Sequence, residues 1–198
     1  MPRKKGSTES WKEKKWFHLI APKGFNEVIL GETIARKPEQ VMDRKIFVNM
    51  QSLTRDIKKS HIDLVLQVKK IEGLKAFTEL KGFQVNSSYM KRIVRRRVSK
   101  IEVSQTVQLK DGFQYTVKTI AVTMRKCHRN QETLINNVLR QEVDSFARQK
   151  SAEEFINHVL LGNFAMKIFN KVKKIVPVKR VEVIKATELS KKTSSQAQ

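Results

Sequence analysis

The chain has 198 residues, is 39% hydrophobic and carries 41 Lys and Arg against 19 Asp and Glu, for a formal net charge of +22. This length fits one domain with appendages, and few cytosolic enzymes tolerate so high a charge, because self-repulsion opposes compaction unless an anionic partner relieves it. No apolar run is long enough for a membrane span, the basic N-terminus lacks the apolar core of a secretory signal, and a single cysteine excludes an internal disulfide framework. The composition therefore predicts a cytoplasmic protein whose partner is nucleic acid.

The N-terminal part of the chain is predicted to be an arm followed by short strands. Residues 1–15 are polar and basic and show no apolar period, which predicts a disordered arm that orders on a partner. Residues 16–22 are predicted to form the first strand and residues 46–53 a later one. Between them, Pro38 fits the first turn of a short helix.

The first of two predicted hairpins joins residues 62–70 to residues 74–82. Apolar residues alternate with mostly polar ones along its first strand, as expected for a strand that is buried on one face. We predict a three-residue loop of residues 71–73, with Gly73 in its left-handed last position.

The second hairpin joins residues 100–109 to residues 113–123. A two-residue turn at Asp111-Gly112 would mix the two faces of the strands. We therefore predict a three-residue loop of residues 110–112, with Gly112 in the left-handed position. This register pairs Leu109 with Phe113, Val107 with Tyr115 and Ile101 with Ala121.

Between the hairpins, residues 87–97 are predicted to form a basic helix that begins at Asn86 or Ser87 as its N-cap. Arg97 comes round towards the apolar side, so we expect the helix to end there or an acidic or phosphate partner to hold Arg97, because an unpaired buried guanidinium is costly. At about 100° per residue, the helix separates two sets of side chains. They are Met90, Ile93 and Val94 on one side and Lys91, Arg92, Arg95 and Arg96 on the other.

From residue 130 onwards the apolar period becomes that of helices. The first predicted helix covers residues 130–149, and Ser151 with Glu154 forms a capping box for the second. A third helix is predicted over residues 163–175, before Pro177.

The predicted fold class is α+β. It consists of a curved antiparallel sheet or barrel-like domain with the basic helix between its hairpins, followed by C-terminal helices and a strand that returns to the sheet as an edge strand. The predicted divisions are a disordered basic arm at 1–15, a β-barrel-like domain at 16–129 with its basic helix at 87–97, a helical region with the edge strand at 130–185, and a polar tail at 186–198.

The remaining motifs predict no catalytic or metal site. Cys127-His128 suggests metal binding, but a zinc site needs about four ligands and the chain has no pair of closely spaced cysteines. Asp56 with Asp63, and Glu153-Glu154, are imaginable as paired carboxylates. Each of these acids has an ordinary role in a turn, at a strand end or at a helix N-terminus. We therefore expect no enzyme activity, no metal and no cofactor.

The basic residues favour binding to the phosphates of structured RNA, which is recognised mainly by shape. No acid lies between Glu79 and Glu102 to neutralise the basic helix. That helix lacks the exposed aromatic residues of a single-strand stacking platform. Trp11 and Trp16 fit base stacking and anchoring of the arm equally well. The candidate RNA-binding residues are Arg3, Lys4, Lys5, Lys12, Lys14, Lys15, Trp16, Lys91, Arg92, Arg95, Arg96, Arg97, Lys100, Arg125, Lys126, Arg129, Lys179 and Arg180.

Several short motifs, in their order and spacing, resemble those of one protein family. They are Lys14-Lys15-Trp16, Gly31-Glu32-Thr33, Ser52-Leu53-Thr54, the run Val94-Arg95-Arg96-Arg97-Val98-Ser99-Lys100-Ile101, and Pro177-Val178-Lys179-Arg180-Val181-Glu182-Val183. Over nearly its whole length the chain resembles the archaeal and eukaryotic small-subunit ribosomal proteins called S-three-a, or eS-one. The family pattern has Gly where this chain has Asp43, which leaves the local turn open.

The resemblance implies a structural constituent of the small ribosomal subunit that supports translation from the platform, near the messenger exit and the 3′ end of the small-subunit rRNA. It implies a cytoplasmic, ribosomal location. The implied partners are rRNA and neighbouring ribosomal proteins, with mRNA at the exit and initiation factors as further ones. We expect no membrane association and no homo-oligomer.

Two other functions stay open. A free RNA-binding regulator of translation would show base preference, whereas a ribosomal protein would co-sediment with the small subunit in a nearly one-to-one amount. An Mg²⁺-dependent RNA-processing enzyme would need acids that converge within the basic surface, and the sequence shows none.

Overall fold

The computed structural model describes residues 14–25 and 27–189. Within these ranges the chain forms eight strands and five α-helices. The strands are β1 (Lys15–Ile20), β2 (Ile29–Ala35), β3 (Lys45–Asn49), β4 (Ile62–Glu72), β5 (Lys75–Val85), β6 (Lys100–Gln108), β7 (Gln114–Thr123) and β8 (Val178–Glu188). The helices are α1 (Met50–Thr54), α2 (Ser87–Ile93), α3 (Arg129–Gln149), α4 (Ala152–Leu160) and α5 (Asn163–Val172). The predicted α+β class, with a helix between two hairpins and helices before the last strand, is confirmed.

The strands pair in the order β2-β1-β5-β8-β7-β6, and β4 pairs with both β3 and β5. β1 and β5 run parallel, whereas β1 with β2, β3 with β4, and β8 with both β5 and β7 run antiparallel. The chain divides into two compact units, the first ending at Lys81 and the second beginning at Gly82. The predicted division between residues 16–129 and 130–185 stays a prediction.

The core of the first unit is built from alternate residues of its strands, because successive side chains of a strand point to opposite faces. Phe17 and Leu19 of β1 are buried together with Val68 of β4 and Ala76 of β5. Val41, from the loop before β3, is also buried in this cluster. The opposite face of β1 carries Trp16 and His18.

The turn before β3 accommodates Asp43 where the family pattern has Gly. Asp43 adopts a left-handed backbone with φ of 58°, a conformation that Asp tolerates better than most non-Gly residues. Its backbone N–H donates to the carbonyl oxygen of Val68 at 3.1 Å, and its carboxylate accepts from the side-chain amide of Gln67 at 3.1 Å. These bonds hold the turn that a glycine would adopt without them.

The connection between β4 and β5 differs from the prediction. β4 continues to Glu72 and β5 begins at Lys75, so the loop consists of Gly73 and Leu74 and not of residues 71–73. Ile71 packs against the core of the first unit, and burying this side chain favours extension of the strand past it. Gly73 does take the predicted left-handed conformation, with φ of 61°.

The second hairpin has the predicted register. Leu109 donates its N–H to the carbonyl oxygen of Phe113 at 2.9 Å, and Gly112 has φ of 77°. The three-residue loop is therefore confirmed, with Gly112 supplying its left-handed position. The other predicted pairs are also present, namely Ile101 with Ala121 and Val107 with Tyr115.

The position of β8 corrects the prediction of an edge strand. β8 pairs with β7 on one side and, near its end, with β5 on the other. In this second pairing Gly82 lies opposite Thr187, and a Cβ at Gly82 would lie 2.1 Å from the carbonyl oxygen of Ala186. Only glycine allows so close an approach. The alternation of apolar and polar residues along 178–185 predicts a strand, but it does not indicate whether that strand pairs on one side or on both.

Three helices contribute to the core of the second unit. α3 buries residues spaced four apart on one face, and Phe146 stacks on Phe164 of α5 with ring centroids 4.5 Å apart. α4 begins after Ser151, whose hydroxyl accepts from the N–H of Glu154 at 3.5 Å, which is one of the two bonds of the predicted capping box. α5 ends at Val172 and not at residue 175, because the backbone of Ile175 bonds three residues back to Val172 and tightens the last turn.

Candidate nucleic-acid interface

The short helix α2 docks through its apolar side onto the sheet of the second unit. Asn86 is its N-cap, and the Asn86 side chain accepts from the N–H of Ser88 at 3.0 Å. Ile93 is buried against Ile120 and Val122 of β7. Tyr89, Met90, Val94 and Val98 pack against the same cluster. The predicted apolar side of the helix is therefore confirmed, and it fixes which side chains face outwards.

The helix ends earlier than predicted, at Ile93 and not at residue 97. Val94 is extended, and Arg97 adopts a left-handed φ of 67° within a turn that leads to β6. A continued helix would carry Arg97 towards the apolar side, where an unpaired guanidinium is costly. The turn instead leaves Arg97 exposed while Val94 and Val98 still reach the apolar cluster.

The cations of α2 and the following turn are exposed. Among the described residues none of the following forms an ion pair with an acid: Lys91, Arg92, Arg95, Arg96 and Arg97. We call these five residues the unpaired cations. Their charges are open to a ligand from solution.

Three cations on the neighbouring strands, in contrast, are paired with acids. Lys100 Nζ lies 2.7 Å from a carboxylate oxygen of Glu102, and Lys118 binds the other oxygen of the same group. Arg180 Nε lies 2.6 Å from Glu182 Oε1. The pair formed by Lys100 and Glu102 is local in sequence. Lys118 reaches Glu102 only through the register of the second hairpin.

Strand pairing brings three distant basic segments to one end of the second unit. Lys100 lies opposite Val122, and Val122 lies opposite Arg180. The N–H of Met124 donates to the carbonyl oxygen of Pro177 at 3.0 Å. The start of β6, the end of β7 and the start of β8 therefore lie side by side. The candidate residues in these segments are Lys100, Arg125, Lys126, Lys179 and Arg180.

A buried hydroxyl ties two of these segments together. The Oγ1 atom of Thr123 accepts from the N–H of Ser99 at 3.0 Å and lies 2.6 Å from the carbonyl oxygen of Arg125, to which it donates. The Ser99 hydroxyl in turn accepts from the N–H of Cys127 at 3.1 Å. This network sets the backbone between Arg97 and Lys100 beside the one that carries Arg125, Lys126 and Arg129.

Tyr89 connects α2 to β8 through a carboxylate. Its hydroxyl donates to Glu182 Oε1 at 2.9 Å, and the guanidinium carbons of Arg92 and Arg180 each lie 5.5 Å from the centre of its ring. Burial raises the pKa of Tyr89 to about 12, and the negative charge of Glu182 acts in the same direction. The hydroxyl therefore keeps its proton at neutral pH and continues to donate.

Sequence reasoning missed Glu182 as part of this site. A signal was present, because residues two apart on a strand share a face, which places Glu182 beside Arg180. No sequence pattern indicates that Tyr89, which lies 93 positions earlier, reaches the same carboxylate.

The other candidates lie in the first unit or outside the described residues. Lys14 precedes β1, and Lys15 and Trp16 begin it. The side chain of Trp16 is 53% exposed, on the strand pair in which it lies opposite Ile34. The remaining arm candidates lie outside the described residues, namely Arg3, Lys4, Lys5 and Lys12.

The residues considered for catalysis have structural roles. Asp56 caps a short helical turn by accepting from the N–H of Lys58, and Asp63 accepts from the side-chain amide of Asn49 at 3.2 Å. Glu153-Glu154 forms the first turn of α4. In the described part of the chain, no group of three or more His, Cys, Asp or Glu residues is placed to hold a metal. The described helices include none that is long and apolar enough to span a membrane.

Comparisons with known proteins identify the family of this chain. The model of the ribosomal S3Ae family matches residues 2–192. Proteins named small ribosomal subunit protein eS1 are 32% identical in Methanothermobacter thermautotrophicus, over 94% of this chain and 96% of the relative, and 35% identical in Sulfurisphaera tokodaii, over 93% and 96%. The protein of the same name in Saccharolobus islandicus is 33% identical over 93% of this chain and 90% of its own. The chain therefore belongs to the ribosomal S3Ae family, whose members are structural ribosomal proteins and not enzymes.

Proposed function

We propose that this protein is a structural constituent of the small ribosomal subunit and that it binds rRNA through phosphate contacts made by the unpaired cations. Membership in a ribosomal family fixes its place on the cytoplasmic ribosome, as predicted. The observation that carries the rRNA contact is the absence of acidic partners for these five side chains in the part of the chain that the structure describes. An exposed cluster of cations without acidic partners, on a docked helix and its turn, is a phosphate-binding surface.

The geometry favours a structured RNA over a single strand. Binding of single strands relies on open aromatic rings on which bases stack. The ring of Tyr89 is occupied on this surface by the guanidinium groups of Arg92 and Arg180. What remains is a set of charges on a helix and a turn that are docked on the sheet, which suits recognition of RNA by backbone shape.

Sedimentation tests the ribosomal role. A cell lysate is separated on sucrose gradients at low and then at high salt, and the protein is followed by mass spectrometry. We expect it to stay in the small-subunit peak after the salt wash, at the abundance of other subunit proteins. If it moves to the top of the gradient at moderate salt, the protein is a free RNA-binding regulator and the proposal is wrong.

The finer placement is part of the same proposal. The family relationship supports a site on the platform, near the messenger exit and the 3′ end of the rRNA, with mRNA, initiation factors and other ribosomal proteins as neighbours. The single cysteine offers a way to map it, because Cys127 is partly exposed next to Lys126.

A photo-crosslinking group attached to Cys127 in reconstituted small subunits would report the nearest nucleotides. Crosslinks close to the 3′ end of the small-subunit rRNA are expected. Crosslinks confined to another region of the rRNA would contradict the platform location.

A further inference from the structure

Glu182 lies among the cations of this surface. Its negative charge repels the phosphates that the surface is proposed to bind, so we asked what the carboxylate contributes. The Glu182 side chain is only 16% exposed. Its Oε1 atom accepts both from the Tyr89 hydroxyl and from Arg180 Nε, while its Oε2 atom is buried and has no hydrogen-bond partner in the described structure. Burying a carboxylate with one oxygen unsatisfied is unfavourable.

The bonds that Glu182 accepts determine which nitrogen atoms of Arg180 are available to a ligand. An arginine has five N–H donors in a planar fork. Glu182 occupies the Nε position of Arg180, which leaves the paired terminal nitrogens for a phosphate. The side chain is 52% exposed, so a ligand can reach it.

Tyr89 helps to position a second arginine, Arg92. Its ring is fixed at the hydroxyl end by Glu182, and Arg92 lies over that ring at the same distance as Arg180. Cation–π contacts hold a guanidinium in place without using its hydrogen-bond donors. An arginine held in position before binding loses less conformational freedom when the phosphate arrives.

We propose that Arg92 and Arg180 form a two-arginine phosphate site for one RNA backbone segment, and that Glu182 and Tyr89 are its positioning residues. This inference rests on the proposed rRNA-binding function and adds the site to it. On this basis the acidic side chain of Glu182 is required for tight binding of a polyanion. Net charge alone predicts the opposite, namely that an acid weakens such binding.

The chain contains a matched control for the charge of Glu182. Glu102 lies opposite Ile120, and Ile120 lies opposite Glu182, so the two acids share one face of the sheet. Glu102 binds Lys100 and Lys118 and no arginine in the ion pairs of the described residues. Glu182→Gln and Glu102→Gln therefore remove the same negative charge from the same face, and only the first weakens the charge-assisted bond that positions Arg180.

The experiment measures binding of the full-length protein to an in vitro transcript of the small-subunit rRNA at several KCl concentrations. We expect Glu182→Gln to bind about fivefold more weakly, as rotamer freedom returns to the two arginines, although its net charge rises. Glu102→Gln should bind as tightly as the unchanged protein or more tightly. If both variants bind more tightly, the inference is overturned.

A milder variant covers the case in which Glu182→Gln folds poorly, which circular dichroism would reveal. Tyr89→Phe keeps the ring and removes only the bond to Glu182. It should weaken binding about threefold while leaving the salt dependence unchanged, because no phosphate contact is removed. Unchanged affinity in Tyr89→Phe would contradict the positioning role.

Failure of this inference differs from failure of the proposed function. If the unchanged protein shows no salt-dependent binding to the transcript, rRNA binding itself is wrong, and the two-arginine site with it. If the unchanged protein binds and the two Glu→Gln variants behave alike, only the positioning role is lost.

Discussion

Two groups of cations in the second unit differ in their partners. The five unpaired cations of α2 and its turn contact no acid among the described residues, whereas Lys100, Lys118 and Arg180 on the adjoining strands each bind a carboxylate. The unpaired group belongs to a short helix and a turn. The paired group lies on strands, and the register of these strands places Glu102 and Glu182 on the same face of the sheet.

The difference shows that counting basic residues overstates the charge that a ligand meets. A lysine ammonium group that is already bound to a carboxylate offers a phosphate little, because binding must first disrupt that pair or accept the nearby negative charge. Arg180 differs, because only its Nε binds Glu182 and its terminal nitrogens keep their donors. Within one basic surface we therefore expect unequal contributions. Substitutions within the two groups of cations should therefore differ in their effect on RNA binding.

We expect the largest effect on RNA binding from a double variant that combines Arg95→Ala with Arg96→Ala. Each phosphate contact that is lost lowers the slope of log K against log salt by roughly 0.7 to 0.9. The double variant should therefore lose about 1.5 from the slope and about 20-fold in affinity for the rRNA transcript near 0.15 M salt. Filter binding across a series of KCl concentrations measures both quantities.

Arg140 and Arg148 provide the control for this double variant. Both are exposed arginines on α3. Replacing both by alanine changes the net charge equally, and it should leave the slope nearly unchanged. Equal losses from the two double variants would mean that binding is not localised on the unpaired cations.

The next effect concerns the framework beneath the unpaired cations. Thr123→Val removes the hydroxyl that accepts from the N–H of Ser99 and donates to the carbonyl oxygen of Arg125. The loss of a partner for a partly buried N–H should lower the free energy of unfolding by about 1 to 3 kcal/mol. Urea unfolding measures the change.

Thr119, on the same strand and face, gives the opposite expectation. Its Oγ1 atom is buried and has no hydrogen-bond partner in the part of the chain that the structure describes. Thr119→Val should therefore be neutral or slightly stabilising, since it removes a polar atom that gains nothing from burial. Equal destabilisation by both variants would show that the Thr123 network has no special role.

The smallest effect is expected from Lys100→Ala. Its ammonium group already lies 2.7 Å from Glu102, so the salt slope should fall by less than about 0.5, which is below the value for one full phosphate contact. The loss should grow when Lys100→Ala is made together with Glu102→Gln, which frees the ammonium group. If Lys100→Ala alone lowered the salt slope by the amount expected for one full phosphate contact, the distinction between the two groups of cations would be wrong.

Features that depend on neighbouring residues were predictable. The register of the second hairpin follows from apolar alternation and from Gly112, both within about two dozen residues. The apolar side of α2 follows from the spacing of Met90, Ile93 and Val94. Such patterns are local, because the side-chain periods of strands and helices are set by backbone geometry.

Features that depend on strand order were not predictable. The sequence shows that residues 178–185 form a strand, but the second neighbour of β8 depends on where β5 ends. That pairing requires the close approach at Gly82. The early end of α2 likewise depends on the apolar cluster that Val94 and Val98 must reach.

The sequence by itself determined the α+β class, the basic character of the surface and the register of one hairpin, because these follow from composition and from local periodicity. Only the tertiary structure decided which cations are open and which are bound. Glu182 meets Tyr89 because β8 pairs with β7 and α2 packs on the same sheet. Electrostatic partners act over a few ångströms in space, and separation along the chain does not report that distance.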